Sequence, residues 1–200
     1  MIDLNKFFST NQDESKTDFF PLMSNEDEEK IGKESTPNTL AILPLKNTVL
    51  FPGVIIPITI GRDKSIKLIN DSENSNNKIG VLSQKDPHIE IPSTKDLNQI
   101  GTVAQILKTL KMPDGNITAI IQGRKRFKVE NIVKEEPYIV ASVQEINDKK
   151  YQKNKASDAL ISSVRDLALK IIDESPNIPS EANIALKNIK SSSFLINFVS

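Results

Sequence analysis

From residue 40 to residue 146 the apolar residues come in short runs broken by proline and glycine; after Asn147 they recur every three to four positions. No other feature divides the chain so sharply. Short punctuated runs specify strands and turns, whereas a repeat near 3.6 residues specifies amphipathic helices. The expected fold class is therefore α+β, with a small sheet first and helices after it.

Within the first part, residues 41–43 form an apolar strand expected to end at Pro44. Residues 54–60 form a second with Pro57 inside it, which favours an edge or a bulge because proline cannot donate to the ladder. Residues 62–70 read as a short helix with Ile66 and Ile69 at helical spacing, and residues 78–83 as a third strand. Residues 101–111 and 116–122 flank Met112-Pro113-Asp114-Gly115. Proline presets the first turn dihedral and glycine accepts the left-handed position, so a hairpin is expected. Residues 126–133 and 138–146 add two more strands. About six strands and one helix fit a small sheet closed on itself, because closure hides strand edges.

In the second part, Leu160, Val164, Leu167 and Ile171 make one apolar stripe, with Asp158, Arg165, Asp166 and Lys170 expected to face away. Pro176 and Pro179 stop that helix, and Ser180 is positioned to cap the next one. A third helix starts near Ser192 and carries Phe194, Leu195, Phe198 and Val199. Its apolar face is still running at Ser200, so the helical part is expected to be incomplete. The first 38 residues differ from both parts. They hold nine acidic and four basic residues, a net of −5, against an overall charge of zero. No apolar period is sustained there, and only the island Phe19-Phe20-Pro21-Leu22-Met23 breaks the polar texture. Three regions are expected: a mostly disordered acidic tail at 1–38, a β domain at 39–147 and a helical subdomain at 148–200.

Several chemistries lack their residues. There are no cysteines and a single histidine, His88, which removes disulfides, thiolate ligands and multi-histidine metal sites. His88 follows Asp86-Pro87 and reads as a solvated loop residue. Gly61-Arg62-Asp63-Lys64-Ser65 has the Lys-Ser pair of a phosphate loop, but Asp63 stands where a glycine should cradle the phosphate. No run of about 18 apolar residues spans a membrane, and residues 1–10 have no export-signal character; with no cysteine, the expected location is the cytoplasm. Arg124-Lys125-Arg126 with Lys128 is the best case for nucleic-acid binding. The one aromatic among them, Phe127, falls on the alternating inward face, so no stacking platform for bases is offered, which argues against it.

The run Leu43-Pro44-Leu45-Lys46-Asn47-Thr48-Val49-Leu50-Phe51-Pro52-Gly53-Val54-Ile55-Ile56-Pro57 resembles the opening signature of the Lon protease N-terminal domain. Five further pieces follow in order: Gly61-Arg62-Asp63-Lys64-Ser65-Ile66-Lys67, Gln84-Lys85-Asp86-Pro87, Ile100-Gly101-Thr102-Val103-Ala104, Leu110-Lys111-Met112-Pro113-Asp114-Gly115 and Gln122-Gly123-Arg124. Ile178-Pro179-Ser180-Glu181, leading to Asn188-Ile189, is similar to the family's downstream bundle.

The resemblance covers residues 40–200 and implies a PUA-like β pseudo-barrel followed by a helical bundle. It implies a non-catalytic region that recognises unfolded, damaged or tagged protein substrates and helps organise a homo-hexamer. ATP and magnesium, with a Ser-Lys peptidase, would belong to further domains of a full-length parent, and no cofactor or metal is expected in these residues. The contact candidates are Asp63, Lys64 and Lys67 at a helix start, and Phe51, Val54 and Ile56 in the apolar run. Strand pairing at the Pro57 edge is a second capture mode. The alternatives are a stand-alone protein-binding adaptor and an RNA-binding PUA-like module, the latter resting on fold analogy alone.

Overall fold

A computed structural model of the chain describes residues 30–73, 78–113, 115–147, 154–176, 178 and 181–200. Six strands appear in the expected order: β1 (Thr39–Leu45), β2 (Ile55–Ile60), β3 (Lys78–Ser83), β4 (Ile100–Lys111), β5 (Ile117–Lys134) and β6 (Val140–Ile146). Helix α1 (Asp63–Glu73) lies between β2 and β3. The sheet order is β2-β5-β4-β3-β1-β6, and an additional β5–β6 pairing returns the sheet to itself, leaving β2 outside the ring. The β1–β3 pair is parallel and the other pairings are antiparallel.

Two expectations about strand ends do not match. β1 runs through Pro44 to Leu45, because β3 pairs one side of it and the missing N–H falls on the other. Residues 116–122 and 126–133, read as two strands, belong to one 18-residue strand, β5. Gly123 is the reason it looked divided. A Cβ there would lie 2.1 Å from the carbonyl oxygen of Phe51, so the glycine permits a close backbone approach and does not break the strand. The β4–β5 turn closes as its sequence predicts. Met112 N–H donates to Asn116 O at 2.8 Å, Gly115 N–H donates to Met112 O at 3.0 Å, and Gly115 has φ 85°. Asp114 lies outside the described residues.

The sheet buries apolar side chains on both faces. Along β1, Leu43 and Leu45 enter one core cluster, while Leu40 and Ile42, at the alternate positions, enter another. β3 divides in the same way, with Ile79 and Val81 in the first cluster and Leu82 in the second. The first cluster also holds Ala104 and Ile121, packed with Leu68 and Ile69 of α1. The second gathers Val103 and Ala141 with Phe127, which is wholly buried. Burial on both faces explains why β1 and β3 read as continuous apolar runs. β2 is one-sided: Ile58 and Ile60 are buried, whereas Pro57 and Thr59 are exposed.

The N-terminal segment joins this body before β1 begins. Ile31 is buried, and Glu34 forms ion pairs with Lys78 at 2.9 Å and Arg124 at 3.5 Å. Thr36 donates to Glu145 at 2.6 Å, and Lys125 pairs with the same carboxylate at 2.8 Å. Residues 30–38 are thus packed and bonded to the sheet, while the rest of the expected tail, residues 1–29, lies outside the described residues.

Contacts divide the described residues into two units. One holds residues 30–147 with 191–200, the other residues 154–190. The last helix, α4 (Ser192–Val199), therefore groups with the sheet and not with α2 (Lys155–Glu174) and α3 (Glu181–Asn188). Ser191 caps α4 by accepting from Phe194 N–H, and Phe194, Leu195 and Asn197 are buried. Asn197 accepts from Arg126 at 2.7 Å and donates to Pro52 O at 3.1 Å.

In the other unit, Asn154 caps α2 by accepting from Ser157 N–H at 2.9 Å. Arg165 does not face away as expected. Its guanidinium donates to Leu186 O and, at 2.8 Å, to Ile189 O, satisfying carbonyls at the end of α3. Of the expected stripe, Leu160, Leu167 and Ile171 are exposed, whereas Val164 shares the partly covered face with Ile161, Arg165, Ala168 and Ile172. The expected Ser180 cap lies outside the described residues.

Replacing Gly123 with alanine should lower stability by about 1–3 kcal/mol, as overpacking against fixed backbone does; urea denaturation measures this. Burial raises the Glu145 pKa, but hydrogen bonds from Lys125 and Thr36 outweigh it and leave the pKa below its ordinary value of 4.5. A depressed folded-state pKa stabilises above the unfolded value, and that stabilisation is lost as pH falls through the folded one. Glu145→Gln should therefore be less stable than the parent near neutrality, with the difference shrinking below pH 4.5, as read by urea midpoints across pH.

Candidate functional site: a groove beside the α1 N-terminus

A groove of about 790 Å³ opens where the N-terminal turn of α1, the segment between β3 and β4, and the β5–β6 turn meet. Its floor is apolar: Ile42 and Pro44 of β1, Leu68 of α1, and Tyr138 with Ile139 before β6. Arg62, Asp63 and Lys64 form one wall, Glu90, Ile91 and Pro92 a second, and Glu135 with Glu136 a third. Ile91 is 80% exposed. A large aliphatic side chain so placed beside an apolar floor is available to an incoming apolar group.

Polar contacts hold the three walls in register. Arg62 donates to the Gln84 side-chain oxygen at 2.8 Å, and the Gln84 amide donates to Ile89 O at 2.9 Å. Gln84 is buried, so this partly shielded bond pair ties the start of α1 to the second wall. Lys64 reaches Glu136 at 2.5 Å, and Thr94 donates to Glu135 at 3.1 Å. Tyr138 O–H donates to Asp71 at 3.1 Å. Burial, with the Asp71 carboxylate adding to it, raises the Tyr138 pKa above its ordinary value of 10.0, so the phenol stays protonated and donating. Ser93 hydrogen bonds hold the Asp96 carboxyl below its ordinary value and fix the short 3-10 turn Thr94–Asp96.

The six residues singled out from the sequence fall in different places. Asp63 and Lys64 line the groove. Lys67 is one turn further along α1, outside the lining, in an exposed pair with Asp71 at 3.4 Å. Phe51, Val54 and Ile56 lie along β2 and its approach. Phe51 sits beneath the Arg126 guanidinium, 6.0 Å from ring centroid to Cζ, and Val54 O accepts from Gly123 N–H at 2.9 Å. Ile56 packs against the core cluster under α1. Sequence reasoning missed Ile91, Glu136 and Tyr138, whose nearness to residues 62–64 arises only from the fold.

The basic run is largely occupied by internal partners. Arg124 pairs with Glu34, Lys125 with Glu145, and Arg126 with Asn197. Of the four cations only Lys128 is exposed. This arrangement does not form the free cationic stripe that tracks a nucleic-acid backbone. Among the described residues, no three His, Cys, Asp or Glu side chains gather where they could hold a metal ion. No described helix is long and apolar enough to cross a membrane.

The fold is a sheet that closes on itself, with an apolar groove and a charged rim beside α1. Comparison with known proteins places it. The family model described as the ATP-dependent protease La (LON) substrate-binding domain matches residues 39–200. The chain is 55% identical over 188 residues to Lon protease of Flavobacterium johnsoniae, covering 94% of this chain and 23% of that protein. It is 44% identical to Lon protease of Cytophaga hutchinsonii, with the same shares covered. The fold is similar to the N-terminal domain of Mycobacterium avium complex Lon protease, with TM-score 0.62, 16% identity and 80% of each chain covered. A Lon N-terminal domain protein from Xanthomonas campestris gives TM-score 0.52 at 17% identity, covering 80% of this chain and 96% of that one. The chain belongs to the LON substrate-binding domain family. It spans about a quarter of the length of the two Lon proteases compared.

Proposed function

We propose that this chain captures apolar segments of unfolded or damaged proteins in the groove beside α1. In a longer Lon-type protein it would pass them to an ATP- and magnesium-dependent motor and a serine peptidase located in other domains. The observation that carries this reading is the 790 Å³ groove, whose apolar floor adjoins the exposed Ile91. Membership of a family described as substrate-binding supports it.

The charged rim suits transient capture. Lys64 and Glu136 are 53% and 76% exposed, so their pair contributes little to stability and can rearrange around a client. Each domain would bind weakly, and a ring of copies would raise the effective concentration.

A second role, in assembling a homo-hexamer, is favoured by the exposed Leu160, Leu167 and Ile171 of α2. Replacing all three with aspartate in a full-length protein should shift sedimentation from hexamer to smaller species, and an intact hexamer would refute that role.

The capture reading is tested with the chain fused to a hexameric scaffold and a reduced, alkylated unfolded protein as client. Burying Ile91 on binding contributes roughly 1.5–3 kcal/mol, so Ile91→Asp should weaken binding about tenfold or more. Stability should change by no more than about 0.5 kcal/mol, as at other surface positions. Failure of the parent fusion to bind the client would refute capture.

A further inference from the structure

Next to the groove the sheet has a seam. β6 accompanies β1 through Ala41, and Ile42 N–H makes one further bond, to Ile139 O at 2.8 Å. Beyond that point, Leu43, Pro44 and Leu45 keep only β3 as a strand partner among the described residues. Among the described residues β2 likewise has only β5. The two unpaired edges border one cleft of about 490 Å³, with Pro44 and Lys46 on the β1 side and Pro57 and Thr59 on the β2 side. Pro44, Lys46, Gly61, Arg62, Ser65 and Glu90 line both this cleft and the groove.

Backbone direction decides what the seam can accept. A strand residue points its N–H and C=O to one side, and its neighbours point theirs to the other. Ile42 donates toward the β6 side, and Leu45 O accepts from Gln84 N–H at 2.9 Å on the β3 side. Pro44 therefore addresses the open side. On β2, Val54 O accepts from Gly123 N–H, so Ile56, Ile58 and Ile60 address β5. Ile55, Pro57 and Thr59 address the open side. Each facing edge thus carries proline where an added strand would need a central donor. Lys46 adds a charge at the end of the β1 edge, another device that discourages strand addition.

We infer that the β1–β2 seam admits side chains of a bound polypeptide but bars its backbone from joining the sheet as a seventh strand. This rests on the client-capture reading and specifies how clients are held. Unfolded segments rich in strand-forming residues are the partners most able to extend an open sheet, and an added strand would be slow to release. Here the two prolines leave the edges rich in acceptors and short of donors. Clients are read through their side chains in the adjoining groove. Among the described residues β4 has no β3 partner beyond Gln105; that stretch carries Lys108 and Lys111 and a bulge between Ile106 and Lys108, which discourage strand addition by different means.

The test uses Pro57→Val, with Pro44→Val/Pro57→Val as a second variant. The probe is a ten-residue peptide of alternating Val and Thr with lysine ends, made with and without backbone N-methylation at alternate residues. The parent chain should bind both peptides within about twofold of each other. Pro57→Val should bind the unmethylated peptide about tenfold more tightly than the parent does, and N-methylation should abolish the gain. Light scattering should show concentration-dependent self-association of the folded valine variants beyond that of the parent. If N-methylation weakens parent binding about tenfold, strands already enter the seam and the inference is overturned. A Pro57→Val protein that matches the parent in both peptide binding and self-association overturns it as well. If the parent binds neither peptide, the capture reading fails for this probe, while the comparison of Pro57→Val with the parent still decides the seam.

Discussion

Continuity of β5 underlies every other element of the sheet. Residues 117–122 pair with both β2 and β4, residues 126–128 with both β4 and β6, and the strand beyond Lys128 with β6 as far as Lys134. Closure of the ring therefore rests on one strand staying unbroken through Gly123, where the Phe51 backbone approaches too closely for any side chain. The approach also fixes the Phe51-Pro52-Gly53 turn: Gly53 N–H donates to Gly123 O, and Gly123 N–H donates to Val54 O, both at 2.9 Å. Asn197 of α4 then holds the same turn through Pro52 O. A local steric requirement thereby links the barrel closure, the start of β2 and the docking of α4.

The groove inherits its rigidity from elements distant in sequence. Residues 62–64 stand at the start of α1, directly after β2, and Leu68 and Ile69 anchor that helix in the core. Buried Gln84 after β3 then ties Arg62 to the segment carrying Ile91. The apolar floor is placed by the core, and the charged rim above it is held by solvent-exposed contacts. Such a division gives a fixed surface for apolar contact and an adaptable border. The two prolines at the neighbouring seam act in the same direction, since they favour side-chain contact over backbone pairing.

Charge plays a structural part that its distribution along the chain conceals. Read as a string, Arg124-Lys125-Arg126 looks like a binding patch and Glu34 like the end of an acidic tail. In the fold they neutralise one another, Glu34 against Arg124 and Lys78, Glu145 against Lys125. Arg165 is a parallel case: counted as a solvated residue on a polar face, it satisfies carbonyls at the end of α3. Long cationic side chains reach partners that periodicity cannot identify.

Strand period, helix period and turn chemistry act over a few residues, so the elements they specify are legible along the chain. The Pro113–Gly115 turn, the helix bearing Ile66 and Ile69 and the limits of β3 belong to this class. Family membership does too, carried by ordered motifs from Leu43 to Asn188. Other features exist only once the chain has folded. Pairing across the sheet distinguishes a glycine that ends a strand from one that lets another backbone approach, or a proline that stops β1 from one placed on its unpaired side. Packing alone brings Ile91, Glu136 and Tyr138 beside Asp63 and Lys64, and separates those two from Phe51, Val54 and Ile56. Local preferences are written in neighbouring residues, whereas a groove is a set of long-range distances, fixed once the core has formed.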